Sequence, residues 1–434
     1  MSMLTPEAKA ELEHQQYRIV GGHSAVKTCG WTKNMINGEG GCYKLKFYGI
    51  MSNQCMQMTT SISCANRCTF CWRGYKAPVS KDWKWDIDDP HMIFTDSLKA
   101  HHGLLVGYGG SPRANPTSYE KSKDVKHVAL SLTGEPITYP RMNELVDEFH
   151  QNGISTFLVT NAQYPDQINA LRPVTQLYLS IDAPTKEMLK EVDVPLFADY
   201  YERMLASLDA LKQKKQRTCI RLTIVKDYND TKLDKYAELI MRGYPDFIEA
   251  KAYMFVGPSQ QRLERKNMPL HEEVVAWSQE LVKHLPDYEV VSEHIPSRVV
   301  MFAKKKFKRD NAWYTWIDFP KFDELYKEYK KTGKEFTTND YLARTPQTGI
   351  SGKTTAENSE RVKNMKDKKD AQVEQKMQQD SKWDRMRKAN EHNHNLKITT
   401  TPTTSNNQKD AIFVDEDTDE LSFYTSEKNP SEKE

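Results

Sequence analysis

The sequence predicts an α/β fold, a full or partial (β/α) barrel of the TIM type. Three observations predict it. From about residue 59 to 303, short runs of β-branched and aromatic residues alternate with longer runs at helical spacing. Repeated strand–helix units imply a parallel sheet with crossover helices. The number of units suits a barrel, in which chemistry gathers at the C-terminal ends of the strands. The 434 residues, 38% of them hydrophobic, are enough for one large domain or two ordinary ones.

In chain order, residues 1–58 form an N-terminal segment rich in Gly, Lys and Cys. Candidate strands follow at 59–63, 127–132, 155–160, 176–181, 219–225, 248–255 and 288–292. Between them, 141–152, 200–213, 232–242 and 270–284 have helical spacing. Residues 74–125 are an insertion with a helix at 88–106, stopped by a Gly-rich turn at 107–112. Residues 304–344 are a basic and aromatic extension. The polar stretch 345–434 has few aromatics and is expected to be disordered, with one amphipathic charged run at 357–390. Within it, Ser351 to Thr355 imitates the end of a phosphate-binding loop. Gln347 stands where that loop needs its first glycine, so nucleotide binding is not expected there.

The net charge of +2 announces no global field for nucleic acid, so any such surface must be a local patch. No stretch approaches the ~18 apolar residues of a membrane span, and the first thirteen residues lack an apolar signal region. A cytosolic protein without membrane attachment is expected. Seven cysteines in such a chain favour metal binding over disulfides. Six of them lie between Cys29 and Cys71, while Cys219 sits mid-strand and reads as a buried core residue.

Cys64, Cys68 and Cys71 have C-x3-C-x2-C spacing just after a candidate strand. Three thiolates hold three irons of a 4Fe–4S cube and leave the fourth open. An open iron can bind the amino and carboxylate groups of S-adenosylmethionine (SAM) and pass it an electron, giving a 5′-deoxyadenosyl radical. The alternative is zinc, which usually wants a fourth protein ligand. Gly134 and Glu135 follow the strand at 127–132, and a carboxylate there suits the SAM amine. Asn161, Ser180 and Asp182 close the next two strands, where they can bond SAM or substrate. Each alone also reads as an ordinary strand-end turn or helix cap.

Cys29, Cys42 and Cys55 are spaced C-x12-C-x12-C, which is no zinc-finger pattern. A second 4Fe–4S cluster with an open iron is expected, able to take a small keto acid. Lys44 lies two residues after Cys42. Read as a strand, 42–46 puts both on one face, where a partly desolvated amine could form a Schiff base. A solvated surface lysine is the alternative, and Lys46 is the local competitor. Lys305, Lys308 and Arg309, interleaved with Trp313 and Trp316, suit a single-stranded RNA loop. Arg73 and Lys76, beside the first cysteine set, can meet the target phosphates. A charged edge followed by a helix that packs with its aromatics is the bland reading of 304–316.

The blocks GHSAVK (22–27), CANRCTFCWR (64–73), LTGEP (132–136), VTNAQYP (159–165), LSIDAP (179–184) and WYTWIDF (313–319), with the two cysteine spacings, resemble the 4-demethylwyosine synthase family over roughly residues 15 to 340. The resemblance implies a radical SAM lyase that modifies tRNA(Phe). Its substrate is the anticodon loop bearing N1-methylguanosine, and its co-substrate is pyruvate. The radical takes hydrogen from the N1-methyl group, and the carbon radical attacks pyruvate held as an imine on Lys44 or on the auxiliary cluster. The carboxyl carbon is lost, and two carbons close the third ring of 4-demethylwyosine. Such a base must be unstacked to react. The cysteines begin within about thirty residues of Met1, so the archaeal arrangement is expected. It has no flavodoxin-like domain and draws on a separate flavodoxin- or ferredoxin-type donor. A monomer is expected. Two other classes compete: a radical SAM enzyme acting on a peptide, and a zinc-stabilised RNA-binding protein without catalysis.

Overall fold

Ten strands make one sheet in the computed structural model of the chain, which describes residues 2–73, 77–346 and 348–349. They are β1 (Arg18–Val20), β2 (Ser24–Lys27), β3 (Cys55–Thr59), β4 (His127–Leu130), β5 (Ser155–Thr160), β6 (Gln176–Ser180), β7 (Thr218–Ile224), β8 (Phe247–Ala252), β9 (Tyr288–His294) and β10 (Val299–Lys304). Their spatial order is β1-β2-β3-β4-β5-β6-β7-β8-β10-β9. The six strands β3 to β8 are parallel, and antiparallel pairs extend both margins. With β1 and β9 at opposite ends of the order, the barrel is partial and open.

Among the described residues, twelve helices accompany the sheet. They are α1 (Pro6–His14), α2 (Gly30–Ile36), α3 (Tyr43–Tyr48), α4 (Pro90–Leu105), α5 (Pro116–Ser122), α6 (Met142–Gln151), α7 (Pro165–Ala170), α8 (Lys186–Asp193), α9 (Tyr200–Gln213), α10 (Leu233–Gly243), α11 (His271–Val282) and α12 (Phe319–Thr332). Local chemistry accounts for them. In α9, Tyr200, Met204, Ser207, Leu208 and Leu211 are buried along one stripe. α4 starts where Asp89 accepts bonds from the His91 and Met92 amides ahead of Pro90.

Strand residues alternate between two cores. Leu158, Leu177, Leu179, Ile220, Leu222 and Ile248 join the outer core under the helices. Phe157, Tyr178, Cys219 and Phe247 point the other way, into the barrel. Cys219 is wholly buried there, as expected of a core residue.

One expectation about the start of the barrel needs correction. The first parallel strand is Cys55–Thr59, not 59–63, because its ladder with β4 begins at Cys55 opposite His127. Residues 60–63 instead bond neighbouring loops: the Thr60 hydroxyl donates to the Pro136 carbonyl at 2.8 Å. The N-terminal segment contributes β1 and β2 to the same sheet, and Met1–Ile350 form one unit. β10 runs antiparallel to β8, so the chain leaves it at the N-terminal ends of the parallel strands. There Phe307, Trp313, Ile317, Phe322 and Tyr326 close the barrel floor against Phe157 and Phe247. Lys76, the phosphate-loop imitation at 351–355 and the polar stretch beyond residue 349 lie outside the described residues.

Candidate functional site: two cysteine sets and a lysine

Cys64, Cys68 and Cys71 occupy the loop after β3, at the C-terminal ends of the parallel strands. The loop is pinned on several sides. The Arg67 amide donates to the Asp193 carbonyl at 3.0 Å and the Thr69 amide to the Val192 carbonyl at 2.8 Å, tying it to α8. Arg262 donates to the carbonyls of Thr69, at 2.8 Å, and of Cys71. Arg73 donates to those of Ile62, at 2.8 Å, and Asn66, at 3.3 Å. Burial pushes the Cys64 thiol up to about 11. It raises Cys68 further, with the Asp193 carboxylate adding to it.

Gly134 and Glu135 fasten the next strand end to this loop. Gly134 has φ +71°, and a Cβ there would sit 1.9 Å from the Ser61 carbonyl oxygen, so only glycine fits. The Glu135 amide lies 3.1 Å from the Ser61 oxygen and 2.8 Å from that of Ser63. Its Oε2 accepts from the Asn161 amide at 2.9 Å. Its Oε1 is buried without a partner. Burial lifts this carboxyl to about 7 against the bonds that hold it charged. The Asn161 side chain reaches Cys64 Sγ at 3.5 Å. Asp182, lifted by burial to about 6, also has one buried oxygen without a partner. Ser180 lies two residues before it, opposite Arg221 of β7. Orphaned carboxylate oxygens beside three free thiols form a donor set that fits a cubane with one open iron and a cationic amine bound to it.

The second set lies at the other end of the same strand. Cys29 and Cys42 immediately precede α2 and α3, and Cys55 begins β3. Burial raises the Cys29 thiol, and Cys42 adds to the effect. Burial also carries Cys55 to about 12, while Lys44 opposes the rise. The three thiols and Lys44 therefore share one neighbourhood. β3 spans five residues, so roughly 13 Å of strand separates Cys55 from the end that carries the first set. Among the described residues, no three Cys, His, Asp or Glu side chains converge on a single metal ion. A cubane spreads its irons over a cube and takes thiolates that stand apart.

The segment with Lys44 is helix α3, not a strand. Tyr43 and Phe47, four residues apart, are buried together with Tyr48, and Gly49 ends the helix at φ +81°. Positions two apart on a helix do not share a face, so the strand argument for Lys44 fails even though the two residues remain close. Lys44 Nζ stands 5.1 Å from the Tyr178 ring centre and 5.9 Å from that of Phe157, inside the barrel. Lys46 points elsewhere and donates to the Glu293 carbonyl at 2.7 Å.

The basic and aromatic block sits away from the first cysteine loop, on the floor. Trp313 is buried, and the Trp316 indole donates to the Lys46 carbonyl at 3.0 Å. Lys305 Nζ bonds the Pro286 carbonyl at 2.6 Å, Lys308 pairs with Glu289 at 3.1 Å, and Arg309 covers Tyr314. Trp313 is thus closed off, while Tyr314 and Trp316 are half-buried. Lys305, Lys308 and Arg309 nevertheless remain exposed, so the RNA contact expected of this block stays a proposal, placed at the floor by the antiparallel direction of β10. Arg73 binds the cysteine loop with its guanidinium. Three residues escaped the sequence reading: Tyr178, Arg221 and Glu249. Arg221 and Glu249 are legible as charges within the runs TCIRLTI and FIEAKA.

Comparison with known proteins places the chain. Residues 58–240 match the radical SAM superfamily, and 242–304 match the family described as wyosine base formation. The S-adenosyl-L-methionine-dependent tRNA 4-demethylwyosine synthase TYW1 of Mus musculus is 48% identical over 354 residues, which cover 81% of this chain and 49% of that protein. A structure of TYW1 with a lysine–pyruvate adduct bound is 36% identical. It aligns over 70% of this chain and 97% of its own, with a TM-score of 0.63. A crystal structure of archaeal TYW1 is 33% identical over 71% and 99%, with a TM-score of 0.58. The chain spans about half the length of the curated relatives it matches.

Proposed function

Because this chain belongs to the tRNA 4-demethylwyosine synthase family, we propose that it is a radical SAM lyase that converts N1-methylguanosine, 3′ of the anticodon in tRNA(Phe), to 4-demethylwyosine with two carbons of pyruvate. Cys64, Cys68 and Cys71 would hold one 4Fe–4S cluster, and Cys29, Cys42 and Cys55 a second. Bound there, the first cluster and SAM supply the hydrogen-abstracting radical, with an electron from a flavodoxin- or ferredoxin-type donor. The chain's own residues do the rest. Glu135 takes the SAM amine on its orphaned Oε1, and Asn161, Ser180 and Asp182 line the adjoining strand ends. Lys44, as a neutral amine, forms a bond from Nζ to the pyruvate carbonyl carbon. The carbonyl oxygen leaves as water, and the imine fixes pyruvate inside the barrel.

The observation that carries this reading is the placement of two cysteine trios at opposite ends of β3, with Lys44 reaching from the second into the barrel. Iron and sulfide content of anaerobically reconstituted protein tests it, wild type against the combined Cys29→Ala, Cys42→Ala, Cys55→Ala variant. The expected result is about eight irons falling to about four. About four in both would remove the second cluster and the reading built on it.

A further inference from the structure

The barrel interior holds polar groups that none of the assignments above uses. Arg221 stands on β7 between Ser180 of β6 and Glu249 of β8. On β6 the inward residue preceding Ser180 is Tyr178, whose ring lies 5.1 Å from Lys44 Nζ. Arg221 Nε and the Tyr178 hydroxyl are both buried and have no hydrogen-bond partner. Tyr43, which precedes Lys44 in α3, is near enough to interact electrostatically with Arg221. Glu249 is wholly buried and held through Oε1 by the Tyr48 hydroxyl at 2.8 Å.

An orphaned guanidinium N–H and an orphaned phenol on one wall are costly to keep buried. Arginine does not escape that cost by losing its proton. Both groups are donors, and both face the space into which Lys44 projects. A guanidinium fork matches a carboxylate in shape and charge. We propose that Arg221, with the Tyr178 hydroxyl, receives the carboxylate of the 2-oxo acid that Lys44 carries, and so selects oxo acids over uncharged carbonyl compounds. This rests on the reading of Lys44 as the imine-forming residue. Gripping the carboxylate orients the carbonyl carbon toward Nζ and gives a reason for a cation on an inner strand.

Reductive trapping tests it without turnover. Reconstituted protein is incubated with pyruvate and borohydride, and the adduct is located by peptide mass. In wild type the adduct should form on Lys44. In Arg221→Gln the pyruvate concentration for half-maximal trapping should rise roughly ten- to a hundredfold, the loss of a charged hydrogen bond. Trapping with acetone, which has no carboxylate, should be unchanged. Arg221→Lys, which keeps the charge and loses the fork, should fall between, and serves as the test if the glutamine variant does not fold. Equal pyruvate dependence in variant and wild type overturns the proposal. So does an equal loss for acetone, which marks a structural role. Weaker SAM binding with pyruvate trapping intact reassigns Arg221 to the SAM carboxylate. Absence of any wild-type adduct on Lys44 removes the imine reading itself, and this inference with it.

Discussion

Glu135 answers two opposed demands: burial favours its neutral form, and a cationic ligand needs its anion. Its carboxyl sits at about 7. SAM affinity is therefore expected to rise as pH climbs through about 7 and then level off. Glu135→Gln should bind weakly with little pH dependence, and equilibrium binding between pH 6 and 8.5 checks both. The stability effect has the opposite sign. A carboxyl raised in the fold favours folding below its ordinary value of 4.5, and that contribution is lost as pH rises through about 7. At this scale the sequence was readable where chemistry is local. The cysteine spacings and the Gly134–Glu135 pair sit where their motifs imply, and Gly134 is explained by one close contact. Arg221 and Tyr178 cannot be picked out locally, because the proposed role depends on their being neighbours across strands. Only the ladder register reveals that.

The helix that carries the proposed imine lysine is α3, one of the shortest. Its inner face packs on the barrel core, and the C-terminal block holds its backbone from below. Thr315 Oγ1 donates to the Phe47 carbonyl at 2.7 Å, the Trp316 indole to that of Lys46, and the Trp316 ring covers Gly49. The WYTWIDF block thus acts as a clamp on the lysine-bearing helix. Trp316→Ala should cost about 3 kcal/mol of stability, as large-to-small changes in packed sites do. It should also slow borohydride trapping on Lys44 while leaving SAM binding near wild type. Urea unfolding and trapping rates read these, and an unchanged trapping rate would dismiss the clamp. Long periodic elements were legible, α9 to the residue. α3 was not. Six residues are too few for a helical period to show, and the alternation of Cys42, Lys44 and Lys46 imitates a strand.

On the scale of the molecule, α12 seals the sheet beside two buried histidines. His127 bonds the Ser155 hydroxyl at 2.8 Å and lies 4.6 Å from the Phe319 ring. His150 bonds the Thr156 hydroxyl at 2.8 Å and meets Tyr326 at 4.1 Å. Burial depresses both to about 3. Both are neutral in the fold and charge in the unfolded chain near 6.5. The stability tied to them is present above 6.5 and is lost as pH falls toward 3. The urea midpoint should drop between pH 7.5 and 5, and His127→Gln with His150→Gln should flatten that drop. The α/β class and the order of its units were legible from the alternation of runs. That the barrel stays open, and that its floor comes from the basic block, follows from the direction of β10, which no local pattern encodes. The clamp on α3 also has a consequence in time. Its partners are 270 residues apart, and a ribosome adding 5–20 residues per second needs roughly 15 to 50 s to bridge that gap. The helix bearing Lys44 is seated only once synthesis has passed Trp316. The cysteines that flank it are synthesised first, so this site can be assembled only after the clamp residues have joined the chain.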